Sequence, residues 1–469
     1  QGIRRKWGQT SLYVSNYNQE AGFFVGAFGV PRAYDLADDG QYRNVSLPKQ
    51  TINHFKIISN THIHLPIGKI ELDAGVQWNQ RKEIAAPHAH GTAALPTTNT
   101  ALQLDLTTFT GNIRYAVETD SWKNIIGISG VYQQNNRSGY EFLIPNYESQ
   151  QLGIFDFIEH IWNEKLLSNA GIRLDYAHQS IEGSIINTYT TNGQLLNSDE
   201  RNKAINRNYF NIAASAGLQY RYHSNFQLKS NIGTAYRMPA VVELAANGVH
   251  HGTFRHEMGN AALQSEKGLM LDIGGHYEKG KLRIDFTPFI NYFFNYLYLS
   301  PSGRFSPLPE AGQIYMYSEA PAIFAGFESN IDYKLTQSIA IQNAIEYVWN
   351  ANLNTDLGLP FTPPLSWLHE VEVKPFRYSN WFNQMYATVS GHLFAAQNRT
   401  DRNEPTTDGY YLINLGIGNT FNFGKQRLQL MFQARNLLNT VYMNNMSRYR
   451  ILNLPEQGRN IQCLLRFEF

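Results

Sequence analysis

The chain has 469 residues, a formal net charge of +1 and a mean hydropathy of −0.38, and aromatic residues make up 13% of it. The near-neutral charge gives no reason to expect nucleic acid or another polyanion as a partner, and a single cysteine excludes an intrachain disulfide and a thiol-based metal cluster. No stretch approaches the roughly 20 apolar residues of a membrane-spanning helix, so such a chain enters a membrane only as a closed β-barrel.

Taken in chain order, the sequence predicts strands joined by alternately short and long connections. In residues 70–82, apolar residues from Ile70 to Trp78 alternate with polar ones, which is typical of a strand with two different faces. Short turns such as Glu278-Lys279-Gly280 lie within each pair of strands, and long loops separate the pairs, as in outer-membrane barrels. The predicted strands number about 18. They cover residues 6–24, 53–65, 70–82, 101–118, 122–135, 148–162, 166–181, 208–222, 226–236, 268–277, 281–298, 313–333, 338–350, 367–376, 381–396, 409–422, 427–438 and 460–469.

The last ten residues set the faces and the direction of the predicted sheet. Five apolar residues alternate with five mostly polar ones; the apolar set is Ile461, Cys463, Leu465, Phe467 and Phe469. A closing strand of this kind resembles the C-terminal signature of bacterial outer-membrane β-barrels, whose apolar face meets lipid and whose polar face lines the lumen. The resemblance implies that this end is periplasmic. The alternative is a large soluble all-β protein, such as a propeller or solenoid, but the sequence shows no fixed blade-like repeat.

Two segments late in the chain resemble motifs of one receptor family. The first runs from Tyr236-Arg237-Met238-Pro239 through His250-His251-Gly252-Thr253 to Leu263 and Glu266, and the second is residues 434–439 (Ala-Arg-Asn-Leu-Leu-Asn) with Tyr442. Both look like the late-barrel stretches of TonB-dependent outer-membrane receptors. The resemblance spans the whole chain and is specific for the family, but much less so for the ligand.

The resemblance implies an all-β fold, a transmembrane antiparallel β-barrel. The family closes its barrel with about 22 strands around an N-terminal plug domain. We therefore predict that residues 1–469 form the C-terminal portion of such a barrel, with the plug and the first strands missing. The alternative is a self-contained passive porin of about 18 strands, a size that porins do have.

The resemblance also implies the function and the partners. We expect a transporter in the bacterial outer membrane, surrounded by lipid, that imports a metal or metal complex and is driven by a TonB-type energy-transducing complex acting on the plug. A surface lipoprotein over the barrel is left open. No Ser/His/Asp constellation stands out, so we predict that the protein is not an enzyme; an outer-membrane hydrolase is the enzymatic alternative.

Histidines in two predicted outer loops are candidate ligands for the metal. His88 and His90 lie in one loop, and His250, His251 and His256 with Glu257 lie in another. Imidazole and carboxylate suit a borderline divalent cation such as zinc, and we expect three or four of these groups to bind it when the loops close together. Alternatively, each of these histidines is simply a solvated polar residue of a loop.

Haem is the alternative cargo. In haem receptors of this family, an Arg-Ala-Pro box and an Asn-Pro-(Asn/Asp)-Leu box flank a histidine that ligates the iron. Here Arg237-Met238-Pro239 and Asn260-Ala261-Ala262-Leu263 would be the boxes, with His250 or His251 between them. Met238 and Ala261 depart from the pattern, and axial ligation needs only one histidine in a large apolar slot, so zinc is the preferred reading.

Two further features predict structure more than chemistry. The aromatic residues between Phe289 and Tyr298 are expected to form an interfacial girdle at the membrane surface. By register, Arg173 and Asp175, and likewise Glu71 and Asp73, are expected to face the lumen.

Overall fold

The computed structural model describes residues 1–22, 45, 47–87, 93–250, 255–308, 312–375, 383–424 and 426–468. Predictions that concern His88, His90, His251 or Phe469 lie outside the described residues. For His250 the backbone is described but the side chain is not. The described chain is almost entirely β-structure in antiparallel pairs, which confirms the predicted all-β antiparallel fold.

Long strands make up most of the chain. The described residues contain one short α-helix, α1 (Val241–Ala245), and one 3-10 helix, Arg450–Leu452. The strands are β1 Gly2–Arg5, β2 Gly8–Gly22, β3 Lys49–His64, β4 Lys69–Ile84, β5 Thr100–Glu118, β6 Trp122–Ser138, β7 Tyr147–Asn163, β8 Leu166–Ile181, β9 Ser184–Tyr189, β10 Leu195–Asn202, β11 Ile205–His223, β12 Phe226–Arg237, β13 Asn247–His250, β14 Arg255–Met258, β15 Glu266–Lys279, β16 Leu282–Phe305, β17 Gln313–Lys334, β18 Ile339–Asn352, β19 Ser366–Val373, β20 Asn383–Phe394, β21 Tyr410–Phe423, β22 Gln426–Arg435 and β23 Asn460–Glu468.

One sheet contains nearly all of these strands, each pairing with the next long strand along the chain. The ladder runs from β1 through β8, on to β11 and β12, and then from β15 to β23. Hairpin β9–β10 stands apart, and β14 joins the sheet by a parallel pairing with β17. In the part of the chain that the structure describes, no ladder joins β1 or β2 to β23. The pairing that the porin alternative requires is therefore not seen among those residues.

Most predicted strand ends agree with the observed ones to within four residues, but β16 continues to Phe305, seven residues beyond its predicted end, and β1 was not predicted. Residues 166–181, for example, form the predicted strand without any shift. The prediction was wrong at Lys6-Trp7, which form a turn between β1 and β2. The prediction also missed the hairpins β9–β10 and β13–β14 and helix α1, which lie inside segments predicted to be loops. The number of strands in the complete barrel stays a prediction.

The sheet has one apolar face and one polar face. Alternate residues of β8 and β11 are large, apolar and exposed, including Leu174 at 51% and Ile212 at 60% exposure. Their neighbours along the strand, such as Asp175, are polar and buried. The closing strand follows the same rule, because Leu465 pairs with Leu430 while Gln462 pairs with Gln433. These pairings confirm the faces that its alternation predicts.

Short turns lie at one end of the sheet, here called the turn end, and long connections lie at the other, the loop end. In the turn between β3 and β4, the Leu65 amide donates to the Gly68 carbonyl. Gly68 has a φ of +78°, and a Cβ there would lie 2.4 Å from the carbonyl oxygen of Ala116, so the position requires glycine. Among the described residues, none of the helical structure is long and apolar enough to span a bilayer.

A small apolar core lies at the loop end. Helix α1 contributes Val241 and Leu244, which pack with Ile181, Leu263 and Leu297. Leu263 is completely buried. The segment between β12 and β15 therefore folds down onto the ends of neighbouring strands and holds a fixed position there.

Candidate binding region at the loop end

The two sequence boxes meet at Glu243, the first through an ion pair and the second through a backbone hydrogen bond. The Arg237 guanidinium donates to Glu243 Oε2 at 2.7 Å and to Glu266 Oε2 at 3.3 Å. The Asn260 amide donates to the Glu243 carbonyl at 2.7 Å, and Leu263 follows in the apolar core. The ion pairs of Arg237 and the buried side chain of Leu263 thus hold the segment in place at its two ends. In this structure the boxes act as a frame for the hairpin between them.

That hairpin, β13–β14, is fixed against a neighbouring loop and against β17. The Asn247 amide donates to the Leu143 carbonyl at 3.2 Å. Gly248 lies so close to Phe142 that a Cβ would stand 1.6 Å from the Phe142 carbonyl oxygen. On its other side β14 pairs with residues 314–316 of β17. Glycine at 248 is required for this close approach.

His256 is held as a neutral imidazole inside the hairpin. Only 5% of the residue is exposed, and its Nδ1 and Nε2 lie 2.9 Å from Ser306 Oγ and Asn247 Oδ1. The amide oxygen of Asn247 accepts from Nε2, so Nδ1 accepts from the Ser306 hydroxyl. Burial lowers the pKa of His256, the charge of Arg201 lowers it further, and Asp199 opposes the shift.

Glu257 is buried and bound on the opposite side of the same strand. Its Oε1 accepts from Arg255 Nε at 2.7 Å, and its Oε2 accepts from the Tyr317 hydroxyl at 3.0 Å. Consecutive residues of a strand point to opposite faces, so Glu257 and His256 do not converge. No three His, Cys, Asp or Glu side chains within the described ranges are placed to hold a metal ion.

A bridging loop, residues 139–146, connects the two segments that carry the other histidines. The Tyr140 hydroxyl donates to the Ala86 carbonyl at 3.5 Å, two residues before His88. Farther along the same loop, the Leu143 carbonyl accepts a hydrogen bond from the Asn247 amide. His250, whose backbone ends β13, pairs with Arg255 across the hairpin. The structure therefore brings the described flanks of both histidine-bearing segments onto one loop.

The aromatic run of β16 is divided between the two faces by strand alternation and by a β-bulge after Phe293. Phe293 pairs with Ala322 and Tyr296 with Ala320, so three residues of β16 span two of β17 and the alternation inverts at this point. Tyr292 and Phe294 are exposed on the apolar face, as the girdle prediction requires. That prediction was wrong for the remaining aromatic residues, which lie on the polar face: Phe289, Phe293, Tyr296 and Tyr298.

Three of the polar-face rings form a cluster. The Phe293 and Phe324 centroids lie 5.5 Å apart, and the Tyr296 centroid is 5.0 Å from each of them. Tyr298 continues the row and accepts a hydrogen bond from Asn352. The cluster offers apolar surface next to the ion pairs of Arg237, so a flat or partly apolar ligand has rings to contact here.

Charged residues predicted to face the lumen do lie on the polar face, and they are paired. Arg114 lies 2.6 Å from Asp73 and 3.3 Å from Glu71. Arg173 Nε lies 2.6 Å from Asp175 Oδ2. Arg114 on the neighbouring strand compensates Asp73 and Glu71, and Arg173, two residues away on the same strand, compensates Asp175. This pairing explains how these carboxylates occupy positions on the wall that are shielded from water.

Hydrogen bonds and an ion pair join the outer loops, through residues that were not predicted from the sequence. Asn445 donates to the Thr362 carbonyl at 2.6 Å and accepts from the Thr407 hydroxyl at 3.1 Å. Arg450 forms an ion pair with Glu404, and both are almost fully buried. These residues come from three different loops and carry no motif, so nothing in the sequence pairs them. The only hint of this contact in the sequence is the opposite charge of Arg450 and Glu404, which lie in loops rich in small polar residues.

Comparison with known families and solved structures identifies one family and one shared fold. A family model described as TonB dependent receptor-like, beta-barrel, matches residues 4–437. The structure of the copper transporter OprC superposes with a TM-score of 0.75 at 14% identity, covering 100% of this chain and 77% of that one. The FrpB iron transporter from Neisseria meningitidis (F3-3 variant) gives 0.67 at 12% identity, covering 98% and 70%. The siderophore receptor PirA from Acinetobacter baumannii gives 0.68 at 14% identity, covering 99% and 69%. At these identities the structural likeness establishes a shared fold.

Proposed function

Because this chain belongs to the TonB-dependent receptor β-barrel family, we propose that it forms the wall and outer loops of a receptor that imports a scarce metal, with zinc as the first candidate. Members of this family are outer-membrane transporters rather than enzymes, and this chain is an outer-membrane β-barrel protein. Energy would come from a TonB-type complex acting on a plug domain. The structural neighbours are described as transporters of copper and iron and as a siderophore receptor, which supports a metal or metal complex as cargo.

The bridging loop is the observation that carries this proposal. It contacts Ala86 on one side and Asn247 on the other, and each contact lies within two to four residues of a histidine pair. Because a residue of extended chain spans at most about 3.6 Å, the histidine pairs stay within short reach of the loop. Ligands from two sequence-distant loops can then meet around one ion.

We propose four of the predicted residues as the zinc ligands: His88, His90, His250 and His251. Tetrahedral zinc accepts four imidazole nitrogens at about 2.0 to 2.1 Å. His256 and Glu257 already have hydrogen-bond partners on opposite faces of β14. Their role in this proposal is to fix the hairpin that presents His250 and His251.

Calorimetric titration of zinc into the detergent-solubilised protein tests the assignment. Two double variants, His88→Ala with His90→Ala and His250→Ala with His251→Ala, should each weaken binding at least tenfold, since each leaves only two ligands. His223→Ala, an exposed histidine at the turn end, is the matched control and should bind as the wild type does. Undiminished affinity in both double variants would refute the zinc site.

Haem remains the second candidate, and one observation favours it. The two boxes meet at Glu243 and frame the hairpin that carries His250 and His251, with the Phe293 ring cluster on the neighbouring strands. If haem is the cargo, loss of one of these two histidines should abolish the Soret shift of added haem, and the double change at His88 and His90 should leave it intact. The zinc proposal forecasts instead that both histidine pairs contribute to binding, so the double change at His88 and His90 separates the two candidates.

A further inference from the structure

A groove, here called the glycine groove, interrupts the apolar face of the sheet between β5 and β8. Its floor consists of two glycines that pair across neighbouring strands, Gly111 on β5 and Gly130 on β6. A Cβ built on Gly111 would meet nothing within 4 Å, and one built on Gly130 would lie 3.8 Å from its nearest neighbour. Both positions therefore open onto free space outside the wall.

Large side chains from four strands enclose the glycine groove. Phe109 and Tyr132 pair with each other on the loop-end side of the glycines, and their ring centroids lie 6.2 Å apart. Leu152 and Tyr176 continue the row of the glycines on β7 and β8. The enclosed volume is about 500 Å³. Sites that hold small organic molecules have volumes of about 300 to 1,000 Å³, so the groove is large enough for a ligand.

The glycine groove lies in the half of the membrane nearer the loop end. Trp122 begins β6 at the turn end and is exposed there, as a residue of the interfacial girdle is expected to be. Gly130 lies eight residues farther along the same strand. At about 3.3 Å per residue and a tilt of about 40°, Gly130 is roughly 20 Å above Trp122, within an apolar band about 25 Å tall. The groove therefore faces the acyl chains of one leaflet.

A polar rim borders the glycine groove on the side of the loop end. Gln150 pairs with Tyr132 on one strand and with His178 on the other. The Tyr176 hydroxyl and His178 Nδ1 lie 2.9 and 2.8 Å from Asn208 Oδ1, which accepts a hydrogen bond from each. An apolar groove with amide and hydroxyl groups at one end matches a molecule that has an apolar chain and an uncharged polar linkage.

We propose that the glycine groove binds one acyl chain of a membrane lipid in the leaflet nearer the loop end, with the ester linkage of that chain at the rim. Lipid surrounds the apolar face of an outer-membrane barrel, so a lipid is the molecule that meets the groove. A chain that fills it gains the dispersion contacts that a void would forfeit. Because a chain is equally apolar surroundings for its neighbours, packing and the rim hydrogen bonds hold it, and the hydrophobic effect does not. The site is independent of the cargo.

Native mass spectrometry of retained lipid tests the proposal. The protein is reconstituted in vesicles of phosphatidylethanolamine and phosphatidylglycerol, extracted in detergent and weighed as an intact complex. The wild type should keep a bound lipid. Gly111→Leu fills the groove from its floor and should lower the fraction of lipid-bound protein at least about fivefold, the effect of the smallest usual overpacking cost.

Gly275→Leu is the matched control on the same face. Gly275 pairs with Leu228 and Phe286, which are both exposed on the apolar face. A Cβ at this position would already lie 3.7 Å from Phe226 and 3.9 Å from Leu228, so side chains fill the space that is open at Gly111. This variant should retain lipid as the wild type does. Gly130→Leu is a second filling variant, and thermal unfolding shows which of the variants keep the native fold.

A phosphatidylethanolamine with a diazirine in its acyl chain locates the bound lipid. Irradiation should label peptides of β5 and β6 around Gly111 and Gly130 in the wild type, and this label should fall in Gly111→Leu. Asn208→Leu removes the rim amide and leaves the groove, so retention should fall roughly two- to tenfold, as for one hydrogen bond, while the label stays in place. Undiminished retention in Asn208→Leu would remove the rim from the proposal.

Three results would overturn the acyl-chain site. One is equal retention in the wild type and in folded Gly111→Leu and Gly130→Leu. Another is an equal loss in Gly275→Leu, which would indicate only a general effect of side-chain size on the apolar face. The third is a dimer without bound lipid that Gly111→Leu converts to a monomer, because a second copy of the chain would then occupy the groove.

Discussion

Replacing Leu174 with arginine tests which face of the sheet meets the lipid. Leu174 is 51% exposed and pairs with Ile154 and Ile212, which are also exposed. On the same strand, Ser168 accepts a hydrogen bond from Trp162, whose ring is expected in the aromatic girdle at the turn end. Leu174 lies six residues farther along β8.

The depth of Leu174 sets the expected cost. At about 3.3 Å per residue and a tilt of about 40°, six residues rise roughly 15 Å above the girdle, near the middle of an apolar band about 25 Å tall. An arginine at that depth costs about 2 to 4 kcal/mol of folding free energy. Leu174→Ala removes three carbon groups from an apolar environment and should cost about 2 kcal/mol.

Ser215→Arg is the matched substitution on the polar face. Ser215 pairs with Gly171 on one side and with Gly233 on the other, so a long side chain has room between two residues without side chains. We expect its cost to be well under 1 kcal/mol, as is usual for surface substitutions in water. Urea unfolding from lipid vesicles, followed by tryptophan fluorescence, measures all three variants. Equal costs for the two arginines, or a larger cost at Ser215, would mean that the faces are assigned the wrong way round.

Three other predictions concern orientation, pH and packing. In a background without the native cysteine, an impermeant thiol reagent added to intact cells should label a cysteine at Gln194 and spare one at Lys279; the reverse pattern would invert the topology. The contribution of His256 to the free energy of unfolding should be complete above the unfolded-state pKa near 6.5. It should be lost as the pH falls through the lower pKa of the folded state, because the unfolded state then binds a proton that the folded state does not. Thermal unfolding of His256→Asn should lack this acid dependence. Gly248→Ala should destabilise the hairpin by about 1 to 3 kcal/mol through overpacking and weaken zinc binding, whereas Gly111→Ala, where an added Cβ meets nothing within 4 Å, should change neither.

The sequence was sufficient to place the long strands because their signal is local. Alternation along residues 70–82 depends only on which side of the strand each residue takes, and β4 has the expected faces. The same rule placed Glu71, Asp73, Arg173 and Asp175 on the polar face, but it did not predict their ion pairs.

The girdle prediction for β16 used only the position of the aromatic residues along the strand, so it misplaced Phe289 and Phe293, which ordinary alternation puts on the polar face. Tyr296 and Tyr298 lie on the polar face because of the bulge, which no alternation pattern reveals.

The candidate site was harder to predict because its contacts join distant residues. His256 looked like a free ligand in the sequence, but Asn247 and Ser306, nine and fifty residues away, occupy both of its ring nitrogens. Arg450 carried no signal either, since its partner Glu404 lies in another loop. Such pairings depend on how the loops pack over the strand ends, and no periodic pattern encodes that packing.

The extra residue in β16 also has a consequence for how this gene can vary. Below the bulge, Phe293 and the residues before it keep their pairing with β17, and above it Tyr296 and Tyr298 are offset by one position. A deletion of one codon at position 294 or 295 would leave one residue of β16 opposite Pro321 between these pairs, so the bulge would disappear while Tyr296 and Tyr298 kept their partners and their face. The same deletion in the regular part of the strand, before Phe293, would instead move the side chains that follow it to the opposite face. The bulge is therefore the place in β16 where the gene can lose one residue and still present the same rings at the mouth.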